Sequence, residues 1–190
     1  MNMRIASLLL LALVSGTLQG CFPVAAVGVG TGVMMAQDRR TTGAYVEDQA
    51  IETKAFDLIG KQFKDGVHVN VTSFNRNVLL SGEAPSEAVR AEIGRLVAGI
   101  ENVRNVSNEL AVSGPSSLTS RSSDSLVTSD VKLRFMQDKR FNADHVKVVT
   151  ENGTVFLMGI VKRAEADAAT EIASTTGGVQ RVVRLFEYLD

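Results

Sequence analysis

One cysteine, two histidines and no tryptophan are all that a chain of 190 residues offers of these types, and each scarcity removes a class of function. A single thiol makes no internal disulfide, and two histidines with one cysteine are too few for most zinc sites built from protein ligands, so no metal is expected. Two tyrosines leave few flat platforms for stacking bases or sugars. Charge of either sign is nearly cancelled, at a formal net of -1, so the basic surface of a nucleic-acid binder is missing and no such partner is expected. With 45% apolar and 22% charged residues, the composition is that of a globular protein.

Apolar runs are short, and the first is an address. Arg4 precedes an almost wholly apolar stretch, Ile5 to Val14, which has the n- and h-region pattern of a signal peptide. It falls short of the roughly 20 residues that span a bilayer. Leu18-Gln19-Gly20-Cys21 then resembles the bacterial lipobox, and Cys21 is the single thiol of the chain. The resemblance implies a signal peptide over 1–20, a diacylglyceryl group and further acyl chains such as palmitate on Cys21, and no other cofactor. Because one acyl chain holds a protein only marginally, several make the anchor effectively permanent. Phe22 rather than Asp after the lipidated cysteine implies export to the outer membrane, facing the periplasm. Residues 21–46 read as the lipidated N-terminus and tether. A rival reading fuses Phe22 to Ala36 with the h-region as one long anchor, but Pro23, Gly28, Gly30 and Gly32 oppose a helix there. Those glycines do not make a nucleotide loop either, since no strand precedes them and no Walker-type lysine follows.

The rest of the chain is written twice. Val69 to Gly82 matches Val146 to Gly159 at a constant offset of 77, and both blocks alternate apolar and polar residues around a turn, as β-hairpins do. Asn152-Gly153 suits a two-residue type I′ loop; Asn75-Arg76-Asn77 is a weaker turn signal. Upstream, Ile51, Ala55, Leu58 and Ile59 form a helical stripe, matched at offset 76 by Val127, Val131 and Phe135. Asp48 and Asp124 are the expected N-caps. Downstream of the hairpins, Ile93, Leu96, Val97 and Ile100 correspond to Ala169, Ile172 and Ala173 on second helices. Last strands hold Val103, Val106 and Leu110, then Val179, Val182 and Phe186. The expected fold class is α+β, two tandem α-β-β-α-β domains over 47–112 and 124–190, each a small three-stranded mixed sheet packed by two helices. Between them 113–123, rich in serine and broken by Pro115, reads as a linker, so the repeats are expected to fold separately.

Hairpins ending in Gly82 and Gly159, paired helices and the run Val149 to Val161 resemble the BON domain, in its tandem form on outer-membrane lipoproteins. The resemblance covers nearly the whole mature chain. It implies a non-enzymatic module associated with phospholipid surfaces and envelope integrity.

No enzyme is expected, because no constellation of nucleophile, base and orienting group emerges. His68 and His145 lie in different repeats and are expected as strand or edge residues. Glu83, Glu87 and Glu92 read as a solvated helix face, and Gly82 and Gly159 as backbone accommodations.

Divergence between the copies is more informative. Ala50, Asp57 and Gly60 become Leu126, Leu133 and Met136 at offset 76. At about 100° per residue these three lie on the side of the helix away from Val127, Val131 and Phe135, an apolar ridge which the first repeat is expected to lack. Glu47, Asp48, Glu52 and Asp57 against Lys54 leave the first helix at -3, whereas three Asp against Lys132, Arg134, Lys139 and Arg140 leave Asp124 to Arg140 at +1. A basic-bordered ridge suits an anionic lipid interface. The candidate phospholipid-binding set is Leu126, Val127, Ser129, Lys132, Leu133, Arg134, Met136 and Arg140, and the expected partners are anionic phospholipids of the outer membrane. Two other readings stand: the ridge docks a periplasmic or outer-membrane protein with lipid as anchor alone, or it packs under the linker or against the other repeat.

Overall fold

The computed structural model describes residues 38–190 apart from Pro115, so the signal peptide and Cys21 lie outside the described residues. Two copies of one topology follow each other. The first has α1 (Thr42–Phe63), β1 (His68–Phe74), β2 (Asn77–Ala84), α2 (Glu87–Ala98) and a last strand in two pieces, β3 (Asn105–Asn108) and β4 (Ala111–Val112). The second has α3 (Leu118–Gln137), β5 (Val146–Glu151), β6 (Thr154–Val161), α4 (Arg163–Ser174) and β7 (Arg181–Tyr188). In each, the hairpin is antiparallel and the last strand lies parallel to its second arm, giving the expected mixed sheet with the second arm central.

Both first helices begin earlier than the sequence suggests. Thr41 and Ser117 are the caps, their hydroxyls accepting from the Ala44 and Ser120 N–H groups. Half of the expected linker, Leu118 to Ser123, is therefore helix. Its serines are compatible with that because Ser122, Ser125 and Ser129 return their hydroxyls to carbonyls four residues back.

Asp48 and Asp124 are not caps but buried residues inside the helices. Asp48 accepts from the Asn75 and Arg76 N–H groups at 2.8 and 2.7 Å and from the Ser73 hydroxyl at 2.6 Å. Asp124 accepts from the Asn152 and Gly153 N–H groups, each at 2.9 Å. Each thus ties its helix to the turn of its own hairpin. The first turn needs this more: Arg76 sits at φ 66° where the second repeat has Gly153 at 68°. Gly82 and Gly159 are fixed by close approach, since a Cβ there would come within 2.2 and 2.3 Å of the His68 and His145 carbonyl oxygens.

Each repeat has its own core, Ile51, Ala55, Val78, Leu80, Ile93 and Val97 in one and Val131, Phe135, Val155, Leu157, Ala169 and Ile172 in the other. Alternation along the central strands sends the remaining side chains the other way. Phe74 and Leu79 meet Phe156, Met158 and Ile160 in a third buried cluster that joins the two sheets. The repeats, expected to fold separately, thus share a buried cluster besides their own cores. A fully buried apolar side chain of this size contributes about 1.5–3 kcal/mol, so separating the repeats exposes several such terms.

Candidate functional site

The outward face of α3 carries the ridge. Leu126, Leu133 and Met136 are 69%, 51% and 67% exposed, while Val131 and Phe135 on the opposite face are fully buried. The alternative in which the ridge packs under the linker or the other repeat is thereby removed. Val127 leaves the candidate lipid-contact set, because its side chain is buried in the core of the second repeat beside Gly178. Ser129 stays exposed, its hydroxyl turned to the Ser125 carbonyl.

The basic border is thinner than the sequence suggests. Arg134 donates to the Ile172 carbonyl and to the Thr175 and Thr176 hydroxyls, so it closes the C-terminal end of α4. Arg140 is held between Asp138 and Glu171 at 2.9 and 2.7 Å, hydrogen bonds which raise its pKa further above an already high value. Lys132 and Lys139 are exposed and make no hydrogen bond or ion pair among the described residues, which leaves them to meet an external anion.

Beside the ridge, a recess of about 390 Å³ is lined by Arg40, Tyr45 and Phe74 of the first repeat and Lys132, Met136 and Lys147 of the second. The guanidinium of Arg40 lies over both rings, 5.0 Å from the Tyr45 centroid and 4.2 Å from that of Phe74. Arg40 also pairs with Asp48 at 2.9 Å, whereas its neighbour Arg39 forks onto Glu165 of the second repeat at 2.6 and 2.8 Å. The hydrogen bond from Arg39 brings the Glu165 carboxyl down to about 2. The segment entering α1 is therefore a strap gripping both repeats.

The first repeat is not free of exposed apolar groups. Val46 and Phe56 on α1 are 59% and 73% exposed, so the contrast between the helices lies in arrangement and charge rather than in a bare first helix.

A second polar constellation lies at the seam between the repeats. Glu83 is on β2, not on a helix face, and is 1% exposed. It is 2.8 Å from His68 Nδ1 and accepts from the Ser116 N–H and the Asn152 amide. Burial acts to raise its pKa, but the hydrogen bonds from Ser116 and with His68 outweigh it and hold the carboxyl below its ordinary value. Glu151, from the other repeat, is pushed upward by burial despite a hydrogen bond from Asn70 at 2.8 Å. One ligand atom from each of His68, Glu83 and Glu151 falls within 4.8 Å of the others, so these are the described residues that could hold a metal. The sequence placed none of the three together, and the signal for their burial was the unbroken apolar run of β6, which marks a strand covered on both faces.

No described helix is long and apolar enough to cross a membrane. The BON domain profile matches residues 47–114 and 123–190. The chain is 41% identical over 175 residues to an outer membrane lipoprotein, DolP, of Haemophilus influenzae, covering 91% of each sequence. It is 34% identical over 154 residues to a 21 kDa hemolysin of Actinobacillus pleuropneumoniae, covering 80% of this chain and 79% of that one. Among solved structures it is similar to the C-terminal domain of a structural protein of the type III secretion system of Chlamydia trachomatis, at 14% identity and a TM-score of 0.31, over 77% of this chain and 98% of that one.

Proposed function

Because the chain belongs to the BON-domain family, we propose that it is a non-catalytic lipoprotein of the outer membrane whose second repeat lays α3 on anionic phospholipid and so supports envelope integrity. The likeness to the Haemophilus influenzae lipoprotein over nine-tenths of both chains supports the location and the acylation of Cys21. The observation that carries the lipid reading is the uncovered ridge of Leu126, Leu133 and Met136 with Lys132 unpaired beside it. Arg40 and Tyr45, near the N-terminal edge of the described chain, line the same recess as Lys132 and Met136, so the first described residues lie beside the ridge.

Magnitudes favour an interaction that is weak alone and effective when tethered. A fully buried leucine contributes about 1.5–3 kcal/mol, partial insertion less, and each nearby lysine about 1 kcal/mol at an anionic surface. Anchoring supplies an effective concentration in the millimolar range, enough to populate such a contact.

Vesicle binding tests the reading. Residues 37–190 are expected to co-sediment with phosphatidylglycerol vesicles, less so at high salt, and Leu126→Asp with Leu133→Asp is expected to abolish this while the far-UV spectrum and thermal midpoint stay unchanged. Undiminished binding by the folded double variant overturns the ridge as the lipid surface. Failure of the wild type to bind protein-free vesicles would instead favour a protein partner on the same ridge.

A further inference from the structure

The seam between the repeats has two ends that correspond under the internal duplication. At the hairpin offset of 77, Phe74 corresponds to Glu151 and Glu83 to Ile160. Arg104 likewise corresponds to Arg181, and the two reach across the seam alike, to Glu187 at 3.9 Å and Glu109 at 3.8 Å. At one end Phe74 and Ile160 belong to a common apolar cluster. At the other end the same two places hold Glu151 and Glu83, 8% and 1% exposed. Two carboxylates are thus buried where this fold is equally well closed by an apolar pair, and burying carboxylates costs several kcal/mol each unless hydrogen bonds or a cation compensate; Glu83 has several donors, whereas Glu151 has the single amide of Asn70.

We propose that the His68–Glu83–Glu151 cluster binds a divalent transition-metal cation, of the zinc class, which closes the seam between the two repeats. The donor set is one imidazole nitrogen and two carboxylate oxygens, whose combined charge of two a divalent cation neutralises. Three protein ligands leave a fourth position for water from the adjoining recess of about 370 Å³, lined by His68, Asn70, Arg121 and Glu151 among others. Ligands at about 2.0–2.2 Å from a tetrahedral zinc stand roughly 3.4 Å apart, so His68 Nδ1 and Glu83, now at 2.8 Å, part slightly to admit the ion, and all three ligand atoms already lie within 4.8 Å of one another. The cation takes the place of a proton between His68 and Glu83.

One further observation points to a ligand here. Ser81, on the same face of β2 as Glu83, is 1% exposed and its hydroxyl has no hydrogen-bond partner, while Asn70, its partner in the strand register, turns its amide to Glu151. A buried polar atom is therefore left open beside the carboxylates. His145, the counterpart of His68, makes the contrast: Ile160 stands in the place of Glu83, and His145 Nδ1 is buried without a hydrogen-bond partner.

The test uses the untagged full chain in detergent, stripped with chelator and titrated with Zn²⁺ by calorimetry. One ion per chain is expected, with a rise in thermal midpoint. Glu151→Gln and His68→Asn are each expected to weaken binding about tenfold or more, while His145→Asn leaves it unchanged. Equal affinity in Glu151→Gln and wild type, or no saturable binding by the wild type, overturns the proposal. Should the seam variants not fold, Co²⁺ on the wild-type chain decides: with two histidines in the sequence, paramagnetic broadening confined to the His68 ring supports the site, and equal or absent broadening at both rings overturns it.

Discussion

Asp124 sits in the second turn of α3, yet its carboxylate bonds the hairpin turn in the same repeat, accepting from the backbone N–H of Gly153 and of Asn152 at 2.9 Å each. Hydrogen bonds to a charged partner are worth roughly 1.5–3 kcal/mol each. Asp124→Ala is therefore expected to destabilise the chain by about 2–4 kcal/mol, read as a lower denaturant midpoint at unchanged slope. Asp48→Ala is expected to cost more, because it also removes the hydrogen bonds that Asp48 accepts from the Ser73 hydroxyl and the Arg40 guanidinium.

Exposed apolar side chains on the two first helices are expected to behave differently at a membrane. Phe56→Asp on α1 should leave both stability and vesicle binding within error of wild type, since Phe56 is 73% exposed and has no ridge around it. Met136→Asp on α3, beside Lys132 and the recess, should reduce vesicle binding in a co-sedimentation assay.

The seam predicts how the second repeat behaves alone. A fragment of residues 117–190 keeps the Ser117 cap but uncovers Phe156, Met158 and Ile160, and is expected to self-associate in light scattering. Met158→Lys with Ile160→Lys should relieve that association in the fragment and destabilise the full chain by several kcal/mol, because both positions are buried there.

Acid should release the strap. Glu165 in the folded chain titrates at about 2, below its ordinary 4.5, so its pairing with Arg39 stabilises the fold fully above pH 4.5 and is lost as pH falls toward 2. Arg39→Ala is expected to lower stability on the order of 1 kcal/mol near neutrality. The difference in thermal midpoint between that variant and wild type should close over the same acid interval.

Apolar spacing made the elements legible: Ile51, Ala55 and Ile59, or Val127, Val131 and Phe135, declare one buried face each, and the structure buries them, while Leu58 of the expected first stripe is 38% exposed. The ridge was legible for the same reason, as three large apolar residues on the wrong side of such a stripe. Leu118 to Ser123 hid as linker because serine and threonine favour turns as well as caps, and only the hydroxyl back-bonds show how a helix accommodates them. Asp48 and Asp124 looked like caps because an acidic residue near a helix start has that use; their partners lie 27 to 29 residues away, where local pattern does not reach. Glu83 looked solvated as one of a group with Glu87 and Glu92 on one helix face, and its burial on β2 involves Asn152 of the other repeat. Cys21 is legible in the sequence alone.

Arg39 and Arg40 are consecutive residues that hold different repeats, which makes the entry into α1 a point of mechanical division. A pull arriving along the backbone from the N-terminal side meets the Arg39–Glu165 fork first and is passed into the second repeat before α1 carries any of it. Parting the first repeat from the second thus has to break the fork as well as the buried cluster between the sheets.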